Sequence, residues 1–284
     1  MTTPDGTLLP FADAIRVEAS GPDTYAAELQ PSWSSLVGIH GGYTAAIAAR
    51  AVAVHVDDPT KPLRSASVQF LSPPDPGPAT VLVDVERSGR TASFVRARVV
   101  QGDKLRLLLT AICATTRDGA VYDDVAPPLP PRPVDGATAI FPPAEAVPHA
   151  VATPGATTRG HFPNADLLVD PSTVPFAGGA EARLAGWIRP LAGEPPTIEW
   201  MVCVADFLPP TVFTRLTGPT LAATLDYSVH VLVPDPATFV GVDDWVVTEL
   251  SSKHSSHGYA VEEGRLWAPD GTTLVVTHQL RLAG

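Results

Sequence analysis

Two stretches of similar sequence decide the fold of this chain: RSASVQFLSP at residues 64–73 and LDYSVHVLVP at residues 225–234. They begin 161 residues apart, and serine, valine, leucine and proline recur at matching positions. In both stretches the side chains alternate with a period of two, which is typical of a β-strand with one buried face. The repetition predicts that the chain contains two copies of one structural unit.

Further segments repeat in the same order after these two strands. Residues 81–86 (VLVDVE) correspond to residues 245–249 (WVVTE), and residues 107–112 (LLLTAI) correspond to residues 274–279 (LVVTHQ). All four segments have the apolar and β-branched composition of strands. The order of the elements therefore supports a duplicated unit.

Each half also carries one predicted helix ahead of its long strands. Residues 42–56 are rich in alanine and apolar on nearly every side, which predicts a buried helix. Residues 197–208 are the corresponding segment of the second half, which Pro209 and Pro210 end. A buried helix wrapped by a curved antiparallel sheet is a hotdog unit. The sequence thus predicts an α+β fold of the double hotdog type.

A proline-rich segment separates the two units. Twelve of the 31 prolines fall within residues 117–175. Because proline lacks a backbone N–H, it is excluded from most helix and ladder positions, and the segment is predicted to wrap over a surface. The predicted organisation is an N-terminal hotdog at residues 1–117, a connector at residues 118–175 and a C-terminal hotdog at residues 176–284.

Composition excludes several classes of function. The 284 residues include 30 acidic and 19 basic side chains, and a net charge of −11 argues against binding to nucleic acid or to a membrane surface. Cys113 and Cys203 lie in apolar runs and are predicted to be buried free thiols. The start of the chain resembles no export signal, and no segment is long and apolar enough for membrane insertion. A cytoplasmic protein is predicted.

Four motifs resemble those of a known family. GIHGGY at residues 38–43 resembles the His-Gly-Gly start of hotdog thioesterases, and AATLDYS at residues 222–228 resembles the segment that carries the catalytic Asp in acyl-CoA thioesterase II. Residues 249–259 resemble that family's Glu-Ser-Thr-Ser stretch, and residues 276–279 (VTHQ) resemble its Gln-bearing strand. The resemblance covers nearly the whole chain except the connector. It implies a homodimer or larger homo-oligomer that hydrolyses acyl-CoA to a fatty acid and coenzyme A without a cofactor.

The family pattern implies a catalytic Asp, Thr and Gln, which map onto Asp226, Ser251 and Gln279. Serine replaces threonine at the middle position but keeps the hydroxyl. In this interpretation Asp226 is the general base for a water molecule that Ser251 and Gln279 orient. None of the three is a strong nucleophile alone, so direct attack by water is favoured over an acyl-enzyme. Strand alternation places Asp226 on the face opposite Tyr227.

The internal repeat predicts one site in each chain. Asp226 aligns with Ser65, and Gln279 aligns with Ile112. Only the second half therefore keeps a carboxylate and an amide at these places, so that the chemistry is assigned to that half.

The start of the first helix supplies two further candidates, Gly41 and Gly42. Backbone N–H groups at a helix N-terminus are suited to stabilise an oxyanion, and glycine allows a thioester to approach closely. Asp206 is the alternative catalytic carboxylate. In single-hotdog thioesterases an acidic residue lies on the buried helix seven positions after the glycines, where the first helix here has Ala49. Asp206 holds a comparable place in the second half, and the glycines of one half can meet it across the pseudo-dimer.

Other chemistry lacks its motifs. The chain contains no Gly-x-Ser-x-Gly elbow, no phosphate loop and no dinucleotide fingerprint. His254 and His257 lack a third ligand nearby in sequence, so that no metal site is predicted. Two alternatives stay open: a hotdog hydratase or dehydratase that acts on acyl-CoA, and a non-catalytic protein that binds acyl-CoA. The Asp-x-Asn-x-x-His signature of hotdog hydratases is missing.

Overall fold

The structure is a computed structural model that describes residues 8–139, 160–191, 193–218 and 220–283. Its strands are β1 (Val17–Gly21), β2 (Thr24–Leu29), β3 (Leu63–Phe70), β4 (Gly77–Ser88), β5 (Ala92–Gln101), β6 (Lys104–Ala114), β7 (Asp166–Val169), β8 (Ala182–Arg189), β9 (Thr224–Val231), β10 (Val246–Ser256), β11 (Tyr259–Trp267) and β12 (Thr273–Leu282). Its α-helices are α1 (Phe11–Ala14), α2 (Gly41–Val56), α3 (Ile198–Val204) and α4 (Val212–Arg215).

The strands form one sheet that is symmetric about its centre. Their order is β1-β2-β4-β5-β6-β3-β9-β12-β11-β10-β8-β7, and neighbouring strands are antiparallel. β3 pairs with β9 at the centre, where Ser67 lies opposite Ser228. Outward from this pair, β6, β5, β4 and β2 on one side match β12, β11, β10 and β8 on the other. This arrangement confirms the double hotdog fold predicted from the repeat.

Helix α2 forms the core of the first unit, as predicted. It begins at Gly41 and ends at Val56, and ten of its 16 residues are buried. Five of these ten buried residues are alanine, whose small side chains allow the sheet and α3 to approach the helix backbone closely. The left-handed Asp57, with φ of 46°, ends the helix.

Helix α3 is shorter than the predicted helix at residues 197–208. The hydroxyl of Thr197 accepts a hydrogen bond from the backbone N–H of Trp200, which starts the helix at Ile198. After Val204 the backbone tightens into a turn, in which the N–H of Asp206 donates to the carbonyl of Cys203. The prediction of a helix to residue 208 was therefore wrong, and Asp206 lies just beyond the helix end.

Residues 125–130 of the predicted connector lie on the outer face of the second unit, whereas residues 166–169 form the edge strand β7 and Asn164 donates to the carbonyl of Ser32 in the first half. The indole N–H of Trp187 donates to the carbonyl of Pro130 at 2.8 Å, and that of Trp267 donates to the carbonyl of Val125 at 3.1 Å. These contacts attach residues 125–130 to β8 and β11. Residues 140–159 of the predicted connector lie outside the described part of the chain.

Two sequence predictions concern the cysteines and the membrane. Cys113 and Cys203 are free and buried, which confirms their predicted state. Within the described ranges, none of the helices has both the length and the apolar character needed to cross a bilayer.

Candidate active site

Strand β12 presents a row of polar side chains to the interior: Thr277, Gln279 and Arg281. Residues two apart in a strand share a face, and all three are at most 5% exposed. Buried polar groups need hydrogen-bond partners. Most of their partners come from the neighbouring strands β9 and β11 and from the segment after α3.

A bulge at Leu225 in β9 supplies one of these partners. Asp226 still pairs with β12 in the regular register, but Arg281 pairs with Thr224, which leaves Leu225 as the extra residue. An extra residue reverses the alternation of side chains beyond it. The hydroxyl of Thr224 therefore points to the interior, where it lies 2.7 Å from Nη1 of Arg281 and 3.4 Å from Oε1 of Gln279.

The carboxylate of Asp206 lies in the middle of this group. Oδ1 accepts a hydrogen bond from Nη2 of Arg281 at 3.2 Å and lies 3.4 Å from Oγ1 of Thr224. Oδ2 accepts one from the backbone N–H of Gly42 at 3.0 Å. Asp206 is 6% exposed. An Asp, a Thr and a Gln thus meet in one group, in which Asp206 and Gln279 are buried and Thr224 is partly buried.

The N-terminus of α2 holds Asp206 across the boundary between the halves. Nδ1 of His40 accepts the backbone N–H of Tyr43 at 3.2 Å. This contact assigns the ring proton to Nε2, which donates to the backbone carbonyl of Asp206 at 3.1 Å. The N–H of Gly42 binds the Asp206 carboxylate, whereas the N–H of Gly41 has no hydrogen-bond partner among the described residues.

The structure does not bring Asp226 and Ser251 together with Gln279. Asp226 is half-buried on the outer face of the sheet, opposite the buried Tyr227, as the alternation predicted. Ser251 also lies on the outer face, because its neighbour Leu250 points to the interior. Gln279 is the one residue of the mapped trio that faces the interior. The family motif therefore points to Asp226, whereas the carboxylate that the structure places near Gln279 is that of Asp206.

Thr224 and Arg281 were not singled out from the sequence. Thr224 lies two residues before Asp226, so that uninterrupted alternation would place both on the outer face, and only the bulge separates them. Arg281 carried a usable signal, because it lies two residues after Gln279 and shares its face.

The first half contains an apolar version of the same site. Ser67 and Ser228 are related by the symmetry of the sheet, so that the register makes Ala111 the counterpart of Gln279. The alignment of residues 107–112 with residues 274–279, which placed Ile112 opposite Gln279, was therefore wrong by one residue. A matching bulge in β3 pairs Leu63 with Cys113, as Thr224 pairs with Arg281. The four counterparts, including the one for Glu262, are the buried residues Leu63, Val95, Ala111 and Cys113.

Two stacked histidines lie beside the Asp206 group. The rings of His40 and His161 are 4.0 Å apart between centroids, and both residues are buried. Burial lowers the pKa of His40, and the nearby carboxylate of Asp206 offsets only part of this effect. Burial, together with the neighbouring imidazole of His40, lowers the pKa of His161 well below its usual value. Neither ring nitrogen of His161 has a hydrogen-bond partner among the described residues.

These histidines predict a loss of stability in acid. Because the pKa of each is lower in the folded chain than in the unfolded chain, the unfolded state binds more protons below pH about 6.5. The free energy of unfolding should fall as the pH drops from about 6.5, by at most ~1.4 kcal/mol per pH unit for each histidine. Chemical denaturation of His161→Phe between pH 7 and 5 should give a shallower decline than in the parent. Exposed His254→Phe is the control, and an equal slope for all three proteins would contradict this prediction.

The fold and this group define the class of the protein: a double hotdog in which a helix N-terminus of one half meets an Asp, a Thr and a Gln of the other half. Family models described as the acyl-CoA thioesterase N-terminal and C-terminal domains match residues 29–116 and 141–283. The second match alone covers half of the chain. The chain therefore belongs to the acyl-CoA thioesterase family, and it is a thioester hydrolase that acts on acyl-CoA.

Solved structures share the fold across almost the whole chain. A hot dog fold protein from Alicyclobacillus acidocaldarius is 20% identical with a TM-score of 0.82, and the match covers 96% of this chain and 97% of that chain. An acyl-CoA thioesterase II from Mycobacterium marinum is 20% identical with a TM-score of 0.71, covering 96% and 98%. The dehydratase domain of PpsC from Mycobacterium tuberculosis is more distant, at 16% identity and a TM-score of 0.51, covering 95% and 98%. No curated protein sequence matches this chain.

Proposed function

We propose that this thioesterase uses Asp206 as its general base, with Thr224 and Gln279 as the groups that orient the attacking water. One observation carries the proposal: a buried carboxylate lies 3.4 Å from the hydroxyl of Thr224, which in turn lies 3.4 Å from the amide of Gln279. Apo geometry of this kind tightens when substrate and water are bound. Asp226 on the outer face has neither of these groups beside it.

The proposed reaction has two steps. Asp206 takes a proton from a water molecule while the water oxygen forms a bond to the thioester carbonyl carbon, so that the carbonyl oxygen becomes an oxyanion. The tetrahedral intermediate then re-forms the carbonyl and breaks the carbon–sulfur bond. Coenzyme A leaves with the electron pair on sulfur and takes up the proton, and the fatty acid is the second product.

Gly41 and Gly42 have different roles in this proposal. The N–H of Gly42 already donates to Oδ2 of Asp206, so that it orients the base. The unpartnered N–H of Gly41 is left to stabilise the oxyanion, with the positive end of the α2 dipole behind it. A Cβ on Gly41 would lie 3.0 Å from the ring of Phe70 and 3.1 Å from Oδ2 of Asp206, so that any side chain would crowd this space.

A free-thiol assay with saturated acyl-CoA substrates of increasing chain length tests the activity. Thiol release that depends on the enzyme supports the proposal and gives the preferred chain length. Hydration of an enoyl-CoA without thiol release would favour the hydratase alternative. Saturable binding of acyl-CoA without either reaction would favour the non-catalytic alternative.

Gln279→Ala should reduce turnover strongly. Loss of one oriented hydrogen-bonding group at a site of this kind costs about 10²-fold in kcat. The matched control is His278→Ala, because the neighbouring side chain is exposed on the opposite face of β12. Steady-state kinetics give kcat for both variants. An equal loss of kcat in Gln279→Ala and His278→Ala would argue against a specific role for the amide.

We also propose a homodimer or larger assembly in the cytoplasm, with a role in lipid metabolism. Phe94 and Ile112 expose apolar surface on the outer face of the first unit, at 41% and 37% exposure, and such sheet faces tend to be covered. Sedimentation at micromolar concentration should give at least twice the chain mass of 29.7 kDa. A species with the mass of one chain would contradict the assembly.

A further inference from the structure

Asp206 belongs to a chain of buried charges that extends beyond the three proposed reaction residues. All three guanidinium nitrogens of Arg281 are engaged: Nη2 donates to Asp206 at 3.2 Å, Nη1 to Thr224 at 2.7 Å and Nε to Oε2 of Glu262 at 2.5 Å. Oε1 of Glu262 accepts the backbone N–H and the hydroxyl of Thr211 at 2.6 and 2.7 Å. Glu262 is fully buried. The carboxylate of Asp206 is thus connected through Arg281 and Glu262 to the start of α4.

Burying these charges is costly unless they are paired. Desolvation of an ion pair often offsets the attraction between its members, and an apolar pair of similar volume is frequently as stable. The first half provides an internal comparison, because Val95 and Cys113 occupy the positions of Glu262 and Arg281. The same fold therefore packs well without charges at these places. A role other than packing must account for the charged pair.

Within the described part of the chain, the titratable groups around the Asp206 carboxylate include a single cation. They are His40 just before α2, Cys203 from α3, Tyr227 from β9, Glu262 from β11 and Arg281 from β12. Burial lowers the pKa of His40 and raises the pKa of Cys203 and of Tyr227 well above their usual values, so that these three are neutral. Burial alone would lower the pKa of Arg281, but the carboxylates of Glu262 and Asp206 outweigh it and raise that pKa.

We propose that Arg281 is a positioning residue for the general base, and that Glu262 and Thr211 fix its guanidinium. This inference rests on the proposed role of Asp206. Arg281 holds Oδ1 while the N–H of Gly42 holds Oδ2, so that the carboxylate keeps one orientation toward the water. The planar fork of arginine is needed because three acceptors are bound at once, which the single ammonium of lysine cannot reproduce.

The test uses a paired substitution, because removal of Arg281 alone leaves the buried charge of Glu262 without a partner. Glu262→Gln/Arg281→Met removes both charges and keeps an oxygen for Thr211. The matched control is Arg183→Met/Glu249→Gln, since this pair, at 2.8 Å, lies on the outer face of the same sheet. Steady-state kinetics across pH with a saturated acyl-CoA are the readout, after far-UV circular dichroism confirms the fold.

We expect kcat of the inner variant, Glu262→Gln/Arg281→Met, to be at least tenfold lower than in the parent, with KM within about threefold. The control variant, Arg183→Met/Glu249→Gln, should change neither quantity. The acidic limb of the kcat/KM profile should move to higher pH in the inner variant, because the carboxylate loses its cation. Arg281→Lys keeps the charge but not the fork, so that it should lower kcat and leave the acidic limb in place. It also provides a test if the paired variant does not fold.

Two outcomes separate this inference from the proposed function. The positioning role would be overturned if Glu262→Gln/Arg281→Met kept full activity and an unchanged pH profile. An unchanged kcat in Arg281→Lys would also overturn it. If Asp206→Asn is inactive in the same assays, Asp206 remains the proposed general base and only the role of Arg281 is lost. Near-normal activity of Asp206→Asn would instead overturn the proposed base, whatever the paired variant shows.

Discussion

Replacing Asp206 by Asn should lower the rate of acyl-CoA hydrolysis by about 10²–10⁴-fold, because a positioned general base typically accelerates a reaction by this factor. The amide keeps the shape of the carboxylate but cannot take a proton from water. It can still accept the N–H of Gly42, so that the fold should persist. Free-thiol release by the purified variant, with its thermal unfolding recorded in parallel, measures the effect.

Asp226→Asn is the matched control, because it makes the same chemical change on the opposite face of the sheet. Its turnover should stay near that of the parent. A large loss in Asp226→Asn with little loss in Asp206→Asn would restore the assignment made from the motif and remove Asp206 from the reaction. The two variants together therefore discriminate between the sequence mapping and the geometry.

Gly42→Ala should damage both stability and activity. The added Cβ would lie 2.4 Å from the backbone carbonyl of Cys203 and 3.1 Å from Cβ of Asp206. Because the closest atom belongs to the backbone of α3, the two helices must move apart. Overpacking of this kind costs about 1–3 kcal/mol. The movement also lengthens the hydrogen bond from the N–H of Gly42 to Asp206, so that kcat should fall at least tenfold.

The comparison for this prediction is Gly218→Ala. No atom lies within 4 Å of a Cβ added there, so that its stability and turnover should match the parent. Chemical denaturation and the free-thiol assay give both quantities for each variant. Parent-like behaviour of Gly42→Ala would show that the contact between α2 and α3 is not as close as the structure places it.

The two halves contribute different residues to the proposed site. The second half supplies Asp206, Thr224 and Gln279, whereas the first half supplies the helix N-terminus with Gly41 and Gly42. At the strand positions of the second site the first half has apolar residues, which pack without hydrogen bonds. These positions of the first half are therefore part of its apolar core.

The sequence by itself determined the fold, the helix α2 and the family motifs. Period-two alternation at residues 64–73 and 225–234 reports directly on which face of a strand is buried, and alanine-rich composition reports on a buried helix. Gln279 was identified as a candidate through the resemblance of residues 276–279 to a family motif, and Gly41 and Gly42 through their place at the start of the predicted helix. Asp206 was available only as an alternative, since no local pattern shows that it meets the glycines 164 residues away.

The tertiary structure alone decided which carboxylate shares a site with Gln279. The bulge at Leu225 turns Thr224 to the interior and leaves Asp226 outside, and one inserted residue of this kind has no reliable signal in the alternation. The early end of α3 then directs Asp206 toward Gly42, and pairing of β12 with β9 brings Arg281 beside it. These contacts join segments that are distant in sequence, and only the packing of both halves against each other sets their distances.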